Sequence, residues 1–209
     1  MTEKAAPRIA VLVSGGGRSL ENLACEIEAG RLAAKIVLVL SNTREAYALE
    51  RAARLELPTA VISHKGHATP AAFSDAVFAA IDAQNADLVV LAGFLRLLVI
   101  PPRWIGRVLN IHPSLLPAFG GKGFFGERVH QAVLERGVQF TGCTVHYVTN
   151  EYDAGPILVQ RCVEVRREDD AHTLAARVFA EELLALPEAI RLHAAGKVRF
   201  EGGRVVRER

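Results

Sequence analysis

The chain has 209 residues, 50% hydrophobic and 23% charged, which excludes a disordered scaffold, a collagen-like fibre and a disulfide-built mini-protein. Lys and Arg number 25 against 23 Asp and Glu, and a net charge of +2 leaves no cationic excess for the many phosphate contacts of nucleic-acid binding, so small-molecule partners are expected. Three cysteines, Cys25, Cys143 and Cys162, form no Cys-x-x-Cys pair and leave an odd count, which fits free thiols; with a short polar segment at 1–7 and no apolar stretch of the roughly 20 residues a bilayer demands, the expected compartment is the cytoplasm, away from membranes.

Apolar runs alternate with helical-period segments, the pattern of parallel strands joined by crossover helices, so the expected fold class is α/β: an open, mostly parallel, Rossmann-like sheet with helices on both faces. Residues 9–13 are a β-branched apolar run of the kind buried on both sides of a sheet. A Gly-rich turn follows, and then Leu20, Leu23, Ala24 and Ile27 recur at helical spacing with Ser19 as the expected N-cap. A second strand is expected over 35–40, a helix over 46–55 that stops before Pro58, and a third strand over 59–62, completing a β-α-β-α-β unit. Thr69 as N-cap and Pro70 in the first turn open a helix whose Phe73, Val77, Phe78 and Ile81 share one face. A fourth strand is expected over 87–92 and, beyond a Pro101-Pro102 turn, a fifth over 108–111 that runs into His112-Pro113. Residues 113–126, with Gly120, Gly121, Gly123 and Gly126 and little periodicity, have the composition of a mobile, lid-like loop. Next come a helix over Glu127–Arg136, strands over 143–148 and 157–165, a long helix over 171–193 interrupted near Pro187, and a terminal hairpin over 198–206 turning at Gly202-Gly203. Arg204, Arg207 and Arg209 read as a solvated tail, and no linker divides the chain.

Three segments carry chemistry. Gly15-Gly16-Gly17-Arg18-Ser19 lies between a buried strand and a helix start, where backbone N–H groups and the helix dipole converge on an anion. Such a turn can also serve tight packing alone. A P-loop would need Gly-Lys-Ser/Thr, and a dinucleotide site a third glycine where Leu20 stands and an acid where Ser41-Asn42 stands, so a phosphomonoester is the better guest. Asn110 and His112, two apart at a strand end, leave the same face at the sheet edge that bears the glycine loop. An amide N–H there can steady an oxyanion while an imidazole moves protons, or both can brace the turn at Pro113. Asp153, before Ala154-Gly155-Pro156, either caps its turn or orients His112. His64, His67, His130 and His146 lack metal-ligand spacing, so no metal is expected, and Cys143, at a strand start, and Cys162, within a strand, read as packing residues.

In this order Ser14-Gly15-Gly16-Gly17-Arg18-Ser19-Leu20, Leu91-Ala92-Gly93-Phe94-Leu95-Arg96, Leu109-Asn110-Ile111-His112-Pro113-Ser114-Leu115-Leu116-Pro117 and Asp153-Ala154-Gly155-Pro156 resemble the phosphoribosylglycinamide formyltransferases, a folate-dependent family of purine biosynthesis. The resemblance covers nearly the whole chain and implies the formyltransferase fold as a single domain over 1–209, with a phosphate-binding half at 8–100 and a catalytic and folate-binding half at 101–209. It implies transfer of formyl from 10-formyltetrahydrofolate to the amine of glycinamide ribonucleotide, without a covalent enzyme intermediate. Asn110 would hold the oxyanion, His112 would transfer protons and stabilise the tetrahedral intermediate, and Asp153 would keep His112 in its active protonation state and pass the amine proton out. Gly15, Gly16, Gly17, Arg18 and Ser19 would hold the nucleotide phosphate and Glu182 the ribose hydroxyls. Leu95, Arg96, Leu97 and Leu98, with Asn110, Thr149, Asn150, Glu151, Tyr152 and Asp153, would line the folate site, backbone groups reading the pterin ring.

Two departures stand out. Relatives often carry Asn, Ser or Thr, and Asn where Gly16, Arg18 and Ser19 stand, and Ser-Arg-Glu where Thr69-Pro70-Ala71 precedes Phe73, so any folate contact of that arginine is lost or replaced. The same Asn/His/Asp set resembles those of formyltetrahydrofolate deformylase and methionyl-tRNA formyltransferase. A length of 209 residues leads one to expect neither the regulatory domain of the first nor the nucleic-acid-binding domain of the second, and the expected state is a monomer or homodimer. A non-catalytic phosphoribosyl-binding module would keep the glycine loop without needing Asn110, His112 and Asp153 together.

Overall fold

The computed structural model describes residues 6–201 and 204–207. The chain divides into two units, Met1–Leu109 and Asn110–Arg209.

The first unit runs β1 (Arg8–Val13), α1 (Arg18–Glu28), β2 (Lys35–Ser41), α2 (Tyr47–Arg54), β3 (Thr59–Val61), α3 (Pro70–Ala83) and β4 (Leu88–Leu91), with short 3-10 turns at His64–Gly66 and Pro102–Trp104. β1 pairs in parallel with β2 and with β4, and β2 with β3. Ile9, Ala10, Val11, Leu12 and Val13 expose no surface, which is why this strand reads as a continuous apolar run rather than an alternating one. Burial of each large side chain among them contributes roughly 1.5–3 kcal/mol. Since these strands are parallel, the turns that follow β1, β2 and β4 leave from one edge, where ligands of open α/β sheets bind. α3 starts as its sequence predicts: the Thr69 hydroxyl accepts from Ala72 N at 3.1 Å, and Phe73, Val77, Phe78 and Ile81 form its buried face.

β5 (Val108–His112) spans the division, and α4 (Glu127–Arg136), β6 (Phe140–Tyr147), β7 (Ile157–Glu164), α5 (Ala171–Ala194), β8 (Val198–Glu201) and β9 (Arg204–Arg207) follow. The strand order of the main sheet is β3-β2-β1-β4-β5-β6-β7, and β7 runs antiparallel to β6. This is the mostly parallel α/β sheet that the alternating pattern predicts. α5 packs on β6, β7 and α4, and opens with a capping box in which Thr173 N donates to Asp170 Oδ1 (2.7 Å) and Asp170 N to Thr173 Oγ1 (3.0 Å). β8 and β9 pair as the expected hairpin; the turn at Gly202-Gly203, Arg209 and residues 1–5 lie outside the described residues.

Several expectations need correction. α1 is capped by Gly17, not Ser19: Gly17 adopts φ 75°, ψ 23°, and a Cβ there would stand 2.5 Å from Ala48 Cβ, so the left-handed, side-chain-free residue is demanded twice over. α5 continues through Pro187, because the buried face of Ala185, Leu186, Ala189 and Ile190 offsets the one backbone bond the proline cannot make. β6 begins three residues early, so Cys143 lies inside a strand, and Cys162 on β7 is exposed rather than packed; the three thiols are free. Arg204 and Arg207 belong to β9 rather than to a tail.

The first half of 113–126 is fastened rather than loose. Leu116 N donates to Thr144 Oγ1 (3.0 Å), which donates to Ser114 O (2.6 Å), while Gln160 Nε2 donates to Leu116 O (3.0 Å). Gly-rich composition could not reveal these partners, which come from β6 and β7. Among the described residues no helix is long and apolar enough to cross a membrane.

Candidate active site

Asn110 and His112 occupy alternate positions at the end of β5 and emerge on one face, as their spacing predicts. The turn between β6 and β7 brings Asp153 to them with φ 52°, a left-handed conformation that Asp tolerates better than most residues. Gly155 makes that turn possible, since a Cβ there would lie 1.6 Å from Tyr147 O; the gap is closed by Tyr147 N donating to Pro156 O at 3.0 Å. Gly120 serves likewise, its missing Cβ leaving room for Leu116 and Asp153. The Asp153 carboxylate accepts from Gly121 N at 2.8 Å and lies 3.5 Å from His112 Nδ1, so it faces outward to the 113–126 loop and the ring.

His146 joins this group, and spacing alone did not single it out. It lies on β6, only 2% exposed, with Nδ1 3.0 Å from Tyr147 O and Nε2 3.0 Å from Asn110 Nδ2. A carbonyl can only accept, so Nδ1 carries a proton, and in the tautomer with no proton on Nε2 that nitrogen accepts from the amide. That fixes which way round Asn110 lies. Its second amide hydrogen faces Asp153 Oδ1 across 3.4 Å, a long bond that an arriving oxyanion can replace or share.

Burial is the strongest influence on His112 and pushes its pKa below the ordinary 6.5; the Asp153 carboxylate and Phe119 carbonyl oppose this, and the His146 ring adds to it. Both ring nitrogens face acceptors, since His112 Nε2 lies 2.9 Å from Phe119 O. Neutral His112 thus takes up a proton beside a partner already placed to hold it. For Asp153 burial acts upward, yet His146, His112 and the Gly121 N–H together outweigh it and lower its pKa. The site therefore presents a fixed amide donor, a neutral ring and a carboxylate, which suits acyl transfer through a tetrahedral oxyanion.

In the first unit, Gly15 and Gly16 are exposed and no atom lies within 4 Å of where a Cβ would stand, so an anion can approach their backbone N–H groups. The loop is braced from α2: Arg51 Nε donates to Gly16 O (2.9 Å), Arg51 also pairs with Glu21, and Ala48 N donates to Gly15 O (3.0 Å). Alongside Ser14 lies a cavity of about 800 Å³ into which Arg44, Lys65, Arg96, His64 and His67 bring positive or titratable groups against one carboxylate, Glu45.

A family model described as Formyl transferase matches residues 7–190. The chain belongs to the formyl transferase family. It is similar to phosphoribosylglycinamide formyltransferase of Haemophilus influenzae, at 35% identity over 93% of this chain and 90% of that one. It is also similar to the crystal structure of glycinamide ribonucleotide transformylase 1 from Symbiobacterium toebii, with TM-score 0.91 and 39% identity over 99% of this chain and 96% of that chain. The trifunctional purine biosynthetic protein adenosine-3 of Bos taurus is 42% identical over 95% of this chain, which spans about a fifth (19%) of that relative's length.

The other residues expected of a formyl transferase are distributed over both units. Arg18 is exposed and Ser19 half-buried in the first turn of α1. Leu95 (50% exposed) and Arg96 face solvent, Leu97 is half-buried, and Leu98 is 1% exposed, so Leu98 can offer a ligand little beyond backbone. In the second unit Asn150, Glu151 and Tyr152 are exposed and Thr149 half-buried, its hydroxyl 3.4 Å from Glu151 N. Glu182 is half-buried on α5; burial and then the carboxylates of Glu182 and Glu181 push the Cys143 thiol up to about 12.

Proposed function

We propose that this formyl transferase moves the formyl group of 10-formyltetrahydrofolate to the amine of 5-phosphoribosylglycinamide, giving formylglycinamide ribonucleotide and tetrahydrofolate, as the names of its relatives indicate. The observation that carries this reading is the cluster of Asn110, His112 and Asp153, with His146 fixing the polarity of the amide. The amine lone pair attacks the formyl carbon, and as the C–N bond forms the carbonyl electrons move onto oxygen, where Asn110 Nδ2–H meets the charge. His112 accepts a proton from the attacking amine, and Asp153 balances the imidazolium. Collapse of the intermediate breaks the bond to N10 of the folate, which takes a proton as it leaves. Holding both substrates in reacting geometry supplies much of the rate.

The glycine loop, residues 15–19, would take the nucleotide phosphate on its open backbone and the first turn of α1, and Glu182 the ribose hydroxyls. Leu95, Arg96, Leu97 and Leu98 and residues 149–153 would receive the folate. A folate carries glutamate carboxylates, and Arg44, Lys65 and Arg96 around the 800 Å³ cavity supply cations that would make up for the family arginine replaced by Pro70.

The test is to incubate the purified chain with 10-formyltetrahydrofolate, with and without glycinamide ribonucleotide, and to follow tetrahydrofolate. Release that depends on the nucleotide is expected. Equal release without it would make water the acceptor and overturn the assignment, as would no release under either condition.

A further inference from the structure

Ser14, the residue between β1 and the glycine loop, has no part in the chemistry above, yet it binds three turns together. Its hydroxyl donates to Asn42 Oδ1 after β2 (2.5 Å) and accepts from Leu95 N after β4 (2.9 Å), while its own N–H donates to Gly93 O (3.0 Å). All these groups belong to the first unit. Asn42 is only 6% exposed, so little of its side chain can turn to water for a substitute partner. The Leu95 side chain is half exposed and cannot fix its own backbone by packing, and Gly93, at φ 79°, has open space around it. Phe94 does anchor the turn in depth, 8% exposed and stacked on Phe73 with ring centroids 6.4 Å apart. What packing leaves undetermined is the direction of the Leu95 peptide.

We infer that Ser14 is a positioning residue for the folate: its hydroxyl aims the backbone of residues 95–98 and keeps that turn in register with the phosphate loop that begins one residue later. This rests on the function proposed above. Phosphate loop and folate turn are thus joined through the Ser14 hydroxyl as well as its backbone N–H, and loss of the hydroxyl strands the Leu95 N–H and the Asn42 carbonyl while the Gly93 bond and the Phe94 packing stay.

Ser14→Ala and Asn42→Ala are compared with the wild type by steady-state kinetics, thermal melting and amide hydrogen exchange over residues 93–98. Ser14→Ala is expected to exchange faster at Leu95 and to raise KM for 10-formyltetrahydrofolate about tenfold, the order of one lost hydrogen bond, with kcat and the nucleotide KM within about threefold. Asn42→Ala, which keeps the bond to Leu95, is expected to show a smaller rise, and Asn42→Asp, which keeps an acceptor for the hydroxyl, to exchange at Leu95 as the wild type does. Unchanged exchange at Leu95 in Ser14→Ala overturns the inference, and so does a parallel rise of both KM values with a fall in Tm, the mark of a merely structural role. If the wild type transfers no formyl group, the proposed reaction falls, and the exchange rates still decide whether Ser14 holds the turn.

Discussion

Asp153 accepts one backbone N–H from the 113–126 loop, faces His112, and lies near the Asn110 amide, so its charge bears on the whole site. Asp153→Asn keeps the shape and removes the charge; formyl transfer is expected to fall by about two orders of magnitude or more in kcat, with nucleotide binding retained, and His112→Ala to do the same. The carboxylate favours the charged ring, so the His112 titration, already below 6.5 in the wild type, should move lower still in Asp153→Asn, as an imidazole NMR titration would read. An upward move would refute this account of the pair. Gly155→Ala puts a methyl against Tyr147 O and beside His146 Nδ1, and is expected to disturb the ring that orients Asn110, lowering kcat together with Tm. Asn110 and His112 were legible because two residues at a strand end share a face. His146 was not, because its meeting with Asn110 links β6 to β5, and no spacing within either strand encodes that.

Element boundaries were legible where a local signal was sufficient: Thr69 and Pro70 start α3, and the unbroken apolar run makes β1. They were not where the deciding group came from elsewhere in the chain. Ser19 has the side chain of a cap, but Ala48 from α2 forces Gly17 into that position. The 113–126 segment looked loose because Thr144 and Gln160, its fasteners, are on other strands. Thr144→Val removes the acceptor for the Leu116 N–H and the donor to Ser114 O, and is expected to cost about 1–3 kcal/mol, measured by urea unfolding. A loss near zero would mean that this half of the segment holds itself in place.

For the molecule as a whole, acid is the condition that tests the site. The folded His112 binds its proton less readily than the unfolded one, so its contribution is present above about pH 6.5 and is lost as the pH falls through that range. Asp153, with its pKa lowered, contributes above the ordinary carboxylate range and loses that contribution as the pH falls further. Urea midpoints should therefore decline steadily on acidification from about pH 6.5, and Asp153→Asn should flatten the lower end of that decline. Thiol labelling gives an independent view of the packing: iodoacetamide should modify exposed Cys25 and Cys162 in the native protein and spare Cys143, which becomes reactive only in denaturant. The antiparallel return of β7 beside β6 has one more consequence, because it places Asp153 on the same short hairpin as His146. Carboxylate and ring are spaced by a count of residues along a tether, as beads on a string are, whatever the helices do. One extra residue inserted between exposed Asn150 and Glu151 should therefore silence the enzyme while leaving its melting temperature almost unchanged, a failure of length in an otherwise intact molecule.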